Sequence, residues 1–297
     1  MDWSAVFSLS TLTNTVNTAT IVILAGLGCL LTEHAGMMNI GIDGMMTAGA
    51  FAAVMGSWLC NSWLMGLVFA LVTGLLFGAF YGLFVVRFKS DEFIIGVALN
   101  IFAVALTTFM LRSIPGQKGS FHPSTGAVVK LPAITIGGVT VSSMVPLSWL
   151  LVFLCWVMLY RTPLGFWLHA SGEHPESLRS VGRSPEKMKY LGSVLCGLMC
   201  GLSGAYLSLG YLSTFTENMS ASRGFVAVAC VIFGRSNPPL VFLAALLFGF
   251  IDAAGSRMQG MVDSHVTAML PYIGTILMMV ILALRDLAKK HRIMHSR

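Results

Sequence analysis

The polar stretch 173-EHPESLRSVGR-183 separates two apolar runs, 146–161 and 192–211, that the sequence predicts to cross a lipid bilayer. A membrane protein exposes little polar surface to water. A polar segment with a helix-start signal in this position therefore predicts a surface where another protein docks. The same alternation of apolar runs and short polar loops continues along the chain and predicts a polytopic α-helical membrane protein.

The composition indicates the same class. The chain has 297 residues, of which 56% are hydrophobic and 10% charged, whereas a soluble domain carries about 25% charged residues. A transmembrane β-barrel would show short segments of alternating hydrophobicity instead. The net charge of +6 comes mostly from loops and the C-terminus, which is typical of a cytoplasmic membrane face and not of nucleic-acid binding. The N-terminal MDWSAVFSLS lacks a basic region, so no cleavable signal peptide is expected.

Nine apolar runs predict an all-α fold, with about eight to ten transmembrane segments because a straight crossing needs about 20 residues. The run 224–235 is too short to cross, so we expect a half-helix or a segment buried in protein. The second run begins with 39-NIGIDG-44, whose glycines and carboxylate predict a break. The nine runs are 14–31, 40–60, 63–86, 92–111, 146–161, 192–211, 224–235, 238–255 and 266–285.

The lysines and arginines predict the orientation. Five of them lie between positions 285 and 297, so the C-terminus is expected in the cytoplasm. The loops 87–89 and 161–190 are also basic. Nine crossings counted back from a cytoplasmic C-terminus place the N-terminus and the loop 112–144 outside.

The chain then divides into two halves of opposite topology within a single transmembrane domain, 1–297. A first repeat covers 14–111, a second covers 192–285, and 146–161 connects them. A weak echo supports this division: 26-GLGCLLTEHAGMMNIGIDG-44 and 201-GLSGAYLSLGYLSTFTENMS-220 both place a glutamate and an asparagine in a polar break after a glycine-rich helix. Inverted repeats with broken helices that meet at mid-membrane are a transporter architecture.

Charged residues at the two predicted breaks are candidates to line a path through the membrane. Asp43 lies in the first break and Glu217 in the second. An ionisable group at bilayer depth costs about 2.5–3.5 kcal/mol on insertion scales, so such groups are expected to face water, a pocket or a partner. The alternatives are that they cap helix ends at an interface or pair with Arg223.

Polar and aromatic residues near the breaks extend this candidate path. Asn39 and Asn100 each carry a donor and an acceptor that can bind a sugar hydroxyl or a base edge, or can equally satisfy open backbone at a kink. Asn218 belongs to the second break. Phe215 and Phe225 flank it and offer aromatic faces for a sugar ring or a nucleobase, although a membrane phenylalanine more often faces lipid or the core.

The polar stretch has the features of a short surface helix, predicted over 170–184. Ser171 is its expected N-cap, acidic residues lie near its positive end, basic residues lie near its other end, and Gly182 ends it. The alternative is an ordinary amphipathic helix at the membrane interface. Its position in the largest basic loop favours docking. The expected docking residues are Ser171, Gly172, Glu173, His174, Pro175, Arg179, Ser180 and Gly182.

The sequence contains no Walker loop GxxxxGK, no HExxH and no GxSxG. We therefore expect no catalytic, cofactor or metal site in this chain. Energy for transport would have to come from an ion gradient or from another subunit. A gradient-driven carrier would show a relay of charges across its spans, which this sequence lacks. A self-sufficient carrier or channel is the alternative.

Four stretches together resemble the permeases of the nucleoside and simple-sugar (ribose-type) class of bacterial ABC importers. The stretch 31-LTEHAGMMNIGIDGMMTAGAFAA-53 is similar to the signature TE-x-x-G-x-x-NIG-x-x-G, and 91-DEFIIGVALNIFA-103 to E-x-I-x-G-x-x-x-N. The stretch 170–210 resembles the family's coupling loop with the span that follows. The stretch 215-FTENMSASRGFVAVACVIFGRSNPP-239 resembles GxGFxAxAxxxFGxxxP.

The resemblance implies a multi-pass permease of the bacterial inner membrane with the architecture of the vitamin-B12 importer, a type II ABC importer. It implies a second permease, identical or homologous, an ATPase that binds ATP and Mg, and an external substrate-binding protein. By that analogy Glu173–Gly182 is a coupling helix that sits in a groove of the ATPase. The implied cargo is a nucleoside, purine-like base, flavin or simple sugar.

One departure from the pattern lies next to the second break. Where glycine is expected before Gly224, the chain has 220-SASR-223. Arg223 places a cation beside the proposed path, where it either pairs with Glu217 or meets a cargo with an acidic or carbonyl-rich face.

Overall fold

A computed structural model describes residues 9–121, 131–136 and 139–258 of the chain. It is an all-α polytopic protein, as the sequence predicts. Six helices in the described ranges are long and apolar enough to cross a membrane. These six are Ser10–His34, Trp63–Arg87, Glu92–Ser113, Met144–Arg161, Pro185–Leu212 and Pro238–Arg257.

Each predicted run before position 256 corresponds to a helix. The predicted half-helix is confirmed, since α9 has 11 residues. The run 266–285 and the basic C-terminal residues lie outside the described residues. The helices are α1 (Leu9–His34), α2 (Ile42–Cys60), α3 (Trp63–Gly82), α4 (Glu92–Ser113), α5 (Met144–Arg161), α6 (Pro163–Glu173), α7 (Pro175–Ser180), α8 (Pro185–Ala205), α9 (Arg223–Phe233) and α10 (Pro238–Met258), and π-helical turns extend α3 over Leu83–Arg87 and α8 over Tyr206–Leu212.

The first break lies before α2 and not within it. The chain leaves the helical conformation after His34, and α2 then runs without interruption from Ile42 to Cys60. Asp43 therefore lies in the first turn of a continuous helix. Every residue of α2 from Ile42 to Ser57 is buried, so this helix is enclosed by the rest of the chain.

Glycines bring α2, α3 and α8 into backbone contact at the centre of the bundle. A methyl group added at Gly78 would lie 3.0 Å from Cα of Gly197, and one added at Gly49 would lie 2.9 Å from Cα of Gly201. Gly74 and Gly197 approach even more closely. Helices in lipid gain stability from such close van der Waals packing, because no hydrophobic effect drives them together there.

The polar stretch forms two helices instead of the single helix predicted over 170–184. The predicted N-cap, Ser171, is wrong: this residue is buried in α6, and its hydroxyl donates to the carbonyl of Leu168 at 2.7 Å. His174 separates α6 from α7, and Pro175 begins α7, where its missing N–H leaves no helical bond unmade. Gly182 follows α7 with φ +76° and ends the segment as predicted.

Two small antiparallel ribbons were not predicted from the sequence. Strand β1 (Ser120–Phe121) pairs with β4 (Phe215–Thr216), and β2 (Ala133–Ile136) pairs with β3 (Val139–Ser142). The first ribbon joins the loop after α4 to the second break of the chain. It therefore fixes the position of that break relative to α4.

Candidate functional site

Asp43 connects the two breaks of the chain. Its Oδ1 accepts a hydrogen bond from the backbone N–H of Gly224 at 3.0 Å, and its Oδ2 accepts one from the hydroxyl of Ser220 at 2.8 Å. The hydroxyl of Thr47, one helical turn later, lies 3.0 Å from that of Ser220. Asp43 is only 7% exposed. We call Asp43, Thr47, Ser220 and Gly224 the α2–α9 clamp.

The clamp caps the short helix α9 from a different helix. The N–H groups in the first turn of a helix have no partner within it, and Ser222, the N-cap residue of α9, makes no side-chain capping bond. The carboxyl group of Asp43 supplies the missing acceptor at the positive end of the helix. Helix capping was one of the alternatives that the sequence left open for Asp43.

The clamp depends on a close backbone approach. A Cβ added at Gly224 would lie 2.6 Å from Cα of Asp43. Any side chain at position 224 would therefore push α9 away from α2 and lengthen both hydrogen bonds to the carboxylate.

The connection between α8 and α9 contains residues in the left-handed backbone region. Ser213, Asn218, Ala221 and Ser222 have φ values from +46° to +63°. Such conformations cost about 1–3 kcal/mol each and persist only where surrounding contacts impose them. The bonds from Asp43 to the end of this connection are among those contacts.

Asn39 and Asn100 hold the turn between α1 and α2. Oδ1 of Asn39 accepts a hydrogen bond from the N–H of Gly41 at 2.8 Å. Oδ1 of Asn100 accepts one from the N–H of Gly44 at 2.7 Å, and its Nδ2 donates to the carbonyl of Ile40 at 3.0 Å. Both asparagines therefore satisfy open backbone at a kink, which was the second of the two roles considered for them.

The ribbon of β1 and β4 holds Phe215 and Glu217. Phe215 is fully buried, and its ring meets that of Phe51 edge-on at 5.2 Å between centroids. The N–H of Glu217 donates to the carbonyl of Gly119 at 2.8 Å. These contacts tie the second break to the middle of α2 and to the loop after α4.

Glu217 does not pair with Arg223. Its Oε1 lies 3.7 Å from Nη2 of Arg112, whereas Nη2 of Arg223 lies 3.8 Å from Oδ2 of Asp252 on α10. Nearness in the sequence suggested that Glu217 and Arg223 pair with each other. In the structure each has a partner from another helix, because Arg112 of α4 lies beside Glu217 and Asp252 of α10 lies beside Arg223.

The remaining path candidates lie apart from the clamp. Asn218 is exposed in the second break, and Phe225 is 45% exposed on α9. The structure thus brings Asp43 close to the turn that is held by Asn39 and Asn100, but it places the other four candidates in or next to the ribbon or on exposed surface. A path-lining role for these seven residues stays a prediction.

A backbone contact joins the end of α6 to the α1–α2 turn. A Cβ added at Gly172 would lie 2.7 Å from N of Gly36 and 2.8 Å from the carbonyl oxygen of His34. Gly36 has φ +72°, a conformation that favours glycine. The rings of His34 and His169 lie beside this contact, 5.3 Å apart.

Charged side chains lie on α7, and an exposed apolar side chain follows it. Nη2 of Arg179 lies 2.7 Å from Glu186 and Nη1 lies 3.1 Å from Glu176. The hydrogen bond with Glu186 and the charge of Glu176 raise the pKa of Arg179 further above its usual value, so it stays cationic. Leu178 lies on the buried face of α7, whereas Val181, just after the helix ends, is 74% exposed.

Sequence reasoning missed several partners in these contacts. Gly172 was expected to dock a partner, but its contact with Gly36 was not foreseen. Ser220 was noticed only as a departure from an expected glycine, and Thr47 not at all. The one available signal was the spacing of Asp43 and Thr47, which places both on one face of a helix.

Comparisons with known proteins agree with this architecture. Residues 11–284 match the family model described as "Branched-chain amino acid transport system / permease component". A putative glucose ABC transporter permease protein, TsgC13 of Haloferax volcanii, is 33% identical over 86% of this chain and 79% of its own length. The guanosine ABC transporter permease protein NupQ of Bacillus subtilis is 31% identical over 86% of each chain. The nucleoside ABC transporter permease protein NupC of Lactococcus lactis is 28% identical over 92% of each chain. No solved structure matches the chain.

The fold and these similarities define a multi-pass transport permease. The chain belongs to the family of branched-chain amino acid transport system permease components. It is a permease subunit of an ABC importer, as its motifs predicted.

Replacing Asp43 by alanine tests the clamp. We expect Asp43→Ala to lower the local stability of α9 by about 1–3 kcal/mol, because a buried N–H and a buried hydroxyl lose their acceptor. Hydrogen–deuterium exchange measured by mass spectrometry in detergent should become faster in peptides from 217–233.

Asp91→Ala is the matched control for this change. Asp91 caps its own helix, α4, by accepting from the N–H groups of Phe93 and Ile94 at an exposed site. Its loss should speed exchange only at the start of α4. Unchanged exchange over 217–233 in Asp43→Ala would show that the clamp does not hold α9.

Proposed function

We propose that this chain carries a nucleoside, or a closely related neutral polar metabolite, across the bacterial cytoplasmic membrane. The carrying observation is the family match over 11–284 together with permease relatives named for guanosine and nucleosides over most of their length. In this proposal a second permease, identical or homologous, completes the path. A partner ATPase binds ATP and Mg, and an external binding protein delivers the cargo.

The electrostatics of the two breaks support a neutral cargo. Asp43 is bound by Ser220 and Gly224, and Glu217 lies beside Arg112. Arg223 lies beside Asp252. Each of these charged groups already has a partner within the chain, so none of them is left to pair with the ammonium or the carboxylate of a zwitterionic amino acid. A nucleoside or a sugar needs only polar, uncharged contacts.

A simple sugar is the second candidate cargo, because one relative is a putative glucose permease. Competition for uptake separates the candidates. In cells that express the full importer, unlabelled adenosine and uridine should reduce uptake of labelled guanosine, whereas excess glucose and leucine should not. Competition by glucose alone would favour the sugar. Competition by leucine alone would favour a zwitterionic amino acid and contradict a nucleoside or sugar cargo.

In the proposed mechanism, α7 docks the ATPase on the cytoplasmic side. The loop that contains α7 is basic, as expected for that side, and the basic C-terminal residues predict the same side for the C-terminus. Val181 is exposed and lies between Arg179 and Arg183 in the sequence, and an apolar contact within a polar rim is the usual arrangement of a protein interface.

Val181→Asp tests the docking role of this loop. A carboxylate buried in an apolar groove without a partner is costly, so we expect the tagged variant to recover at least about tenfold less ATPase in mild detergent, which corresponds to about 1.4 kcal/mol. Lys89→Asp places the same carboxylate in another basic loop and should leave recovery unchanged. Full recovery with Val181→Asp, or transport by the purified chain without an ATPase, would favour the self-sufficient carrier.

The contact between Gly172 and Gly36 offers a route from α7 to the membrane path. The two backbones touch, so α6 cannot move without moving the α1–α2 turn. That turn leads to Asn39 and then to Asp43 in the first turn of α2. Through the clamp, a displacement of α2 reaches α9. We call this route from Gly172 through Gly36 and Asp43 to α9 the relay. In this proposal the relay alternates access between the inverted repeats of the type II importer architecture.

Gly172→Ala tests the relay separately from docking. The added methyl group would collide with the backbone of Gly36, and changes along such packed routes alter coupling by about 0.5–2 kcal/mol. We therefore expect guanosine uptake to fall by roughly 2- to 30-fold, while ATPase recovery stays at the parent level.

Phe166→Ala is the control for Gly172→Ala. It shortens a side chain of α6 that is 71% exposed and leaves the glycine contact intact, so uptake should not change. Parent uptake in Gly172→Ala, with normal expression, would remove the relay from the mechanism.

A further inference from the structure

An apolar groove of about 470 Å³ lies between α5 and α10. None of the residues that line it belongs to the clamp, to the relay or to the loop that contains α7. Three of its side chains are about half exposed: Trp149 (49%), Phe153 (58%) and Leu243 (58%). The groove is lined by Trp149, Val152, Phe153, Trp156, Pro239, Phe242 and Leu243.

The size of the groove favours a thin occupant. A volume of 470 Å³ would hold roughly one turn of a helix about 10 Å across. A lipid acyl chain has a much smaller cross-section and can follow the groove lengthwise. The half-exposed side chains on its rim leave room for such a chain to enter from the bilayer.

A cation lies at one end of the groove. The guanidinium of Arg161, the last residue of α5, stacks over the ring of Trp156 at 6.0 Å from its centroid. The ring of Tyr160 lies 6.4 Å from that of the same tryptophan, tilted by 43°. Tryptophan and tyrosine side chains concentrate at the level of lipid headgroups. The aromatic pair therefore places Arg161 where a phosphate of the adjacent leaflet would lie.

The end of α5 and the beginning of α10 lie on the same side of the protein. Val241 in α10 packs against Gly26, and Gly249 packs against Ala19, so α10 runs antiparallel to α1. The end of α6, which follows α5, touches Gly36 just after α1. Hence Arg161 and the first turn of α10 both lie towards the basic loops, where anionic headgroups of the inner leaflet attract Lys and Arg.

We propose that the groove between α5 and α10 binds one anionic phospholipid of the inner leaflet, with an acyl chain along Trp149, Phe153 and Leu243 and its phosphate on Arg161. The apolar walls supply affinity, and the arginine selects for negative charge. A helix of another subunit would bury the same walls but would need a carboxylate at this level to pair with the guanidinium, whereas every anionic phospholipid carries a phosphate there. The proposal does not depend on the cargo or on the relay.

Native mass spectrometry of the purified full chain tests this site. The chain is delipidated in mild detergent and then exposed to equal amounts of dioleoyl phosphatidylglycerol and dioleoyl phosphatidylcholine. We expect one tightly retained lipid per chain, with phosphatidylglycerol preferred by about fivefold, the effect typical of one basic residue near an anionic surface.

Two variants separate the contributions of headgroup and acyl chain. Arg161→Gln should abolish the preference while lipid is still retained, and Leu243→Trp should fill the groove and abolish retention of both lipids. Arg87→Gln removes another exposed arginine at the end of a membrane helix, and Leu240→Trp adds the same ring outside the groove on α10. Both controls should behave like the parent.

Several results would overturn the proposal. These are an unchanged preference in Arg161→Gln, parent-like retention in Leu243→Trp, and displacement of the lipid by millimolar glycerol phosphate, which would indicate a free-phosphate site. A disulfide between Leu243→Cys chains, or between that cysteine and another subunit in native membranes, would show that protein covers the groove.

Discussion

The hydrogen bonds of the Asp43 carboxylate are the interaction on which the centre of this permease depends. A charged group this deeply buried is tolerated only if its acceptors are used, and Asp43 uses both oxygens on a single short segment. In doing so it provides the N-terminal cap that α9 lacks and holds the strained connection before it. The half-helix, which is too short to cross a membrane alone, is therefore stabilised by a helix from the other half of the chain.

Backbone contacts between glycines are the second physical theme. In lipid, helices cannot rely on the hydrophobic effect to associate, so close approach and polar bonds have to hold them together. Glycines at α2, α3 and α8 supply the close approach at the centre, and Gly36 and Gly172 supply it at the basic end. Two backbones in direct contact have no side chain between them that could change its rotamer. They therefore transmit a displacement better than contacts between long side chains do. This stiffness is why we assign the coupling route to Gly172 and not to the charges on α7.

The charged residues of α7 illustrate the difference between surface and core. Arg179 bonds Glu176 and Glu186 at exposed positions, where solvent screening leaves ion pairs with little net effect on stability. They shape the surface that a partner would meet and contribute little to folding. Leu178 beneath them anchors the helix. A partner ATPase would thus meet a charged rim around Val181 on a loop that is fixed from below.

Sequence alone determined the class of the protein, most membrane segments, the half-helix and the family, because these depend on hydrophobic length and on local motifs that survive without knowledge of packing. It also located both breaks to within a few residues. Only the tertiary structure decided what the residues at the breaks touch. Glu217 meets Arg112 and not Arg223, Asp43 caps α9, and Gly36 touches Gly172, since each of these pairs joins segments far apart in the chain. The split of the polar stretch at His174 was likewise decided by the structure, because Ser171 is buried within α6, where its hydroxyl donates to the carbonyl of Leu168 and cannot act as the cap that its sequence position suggested.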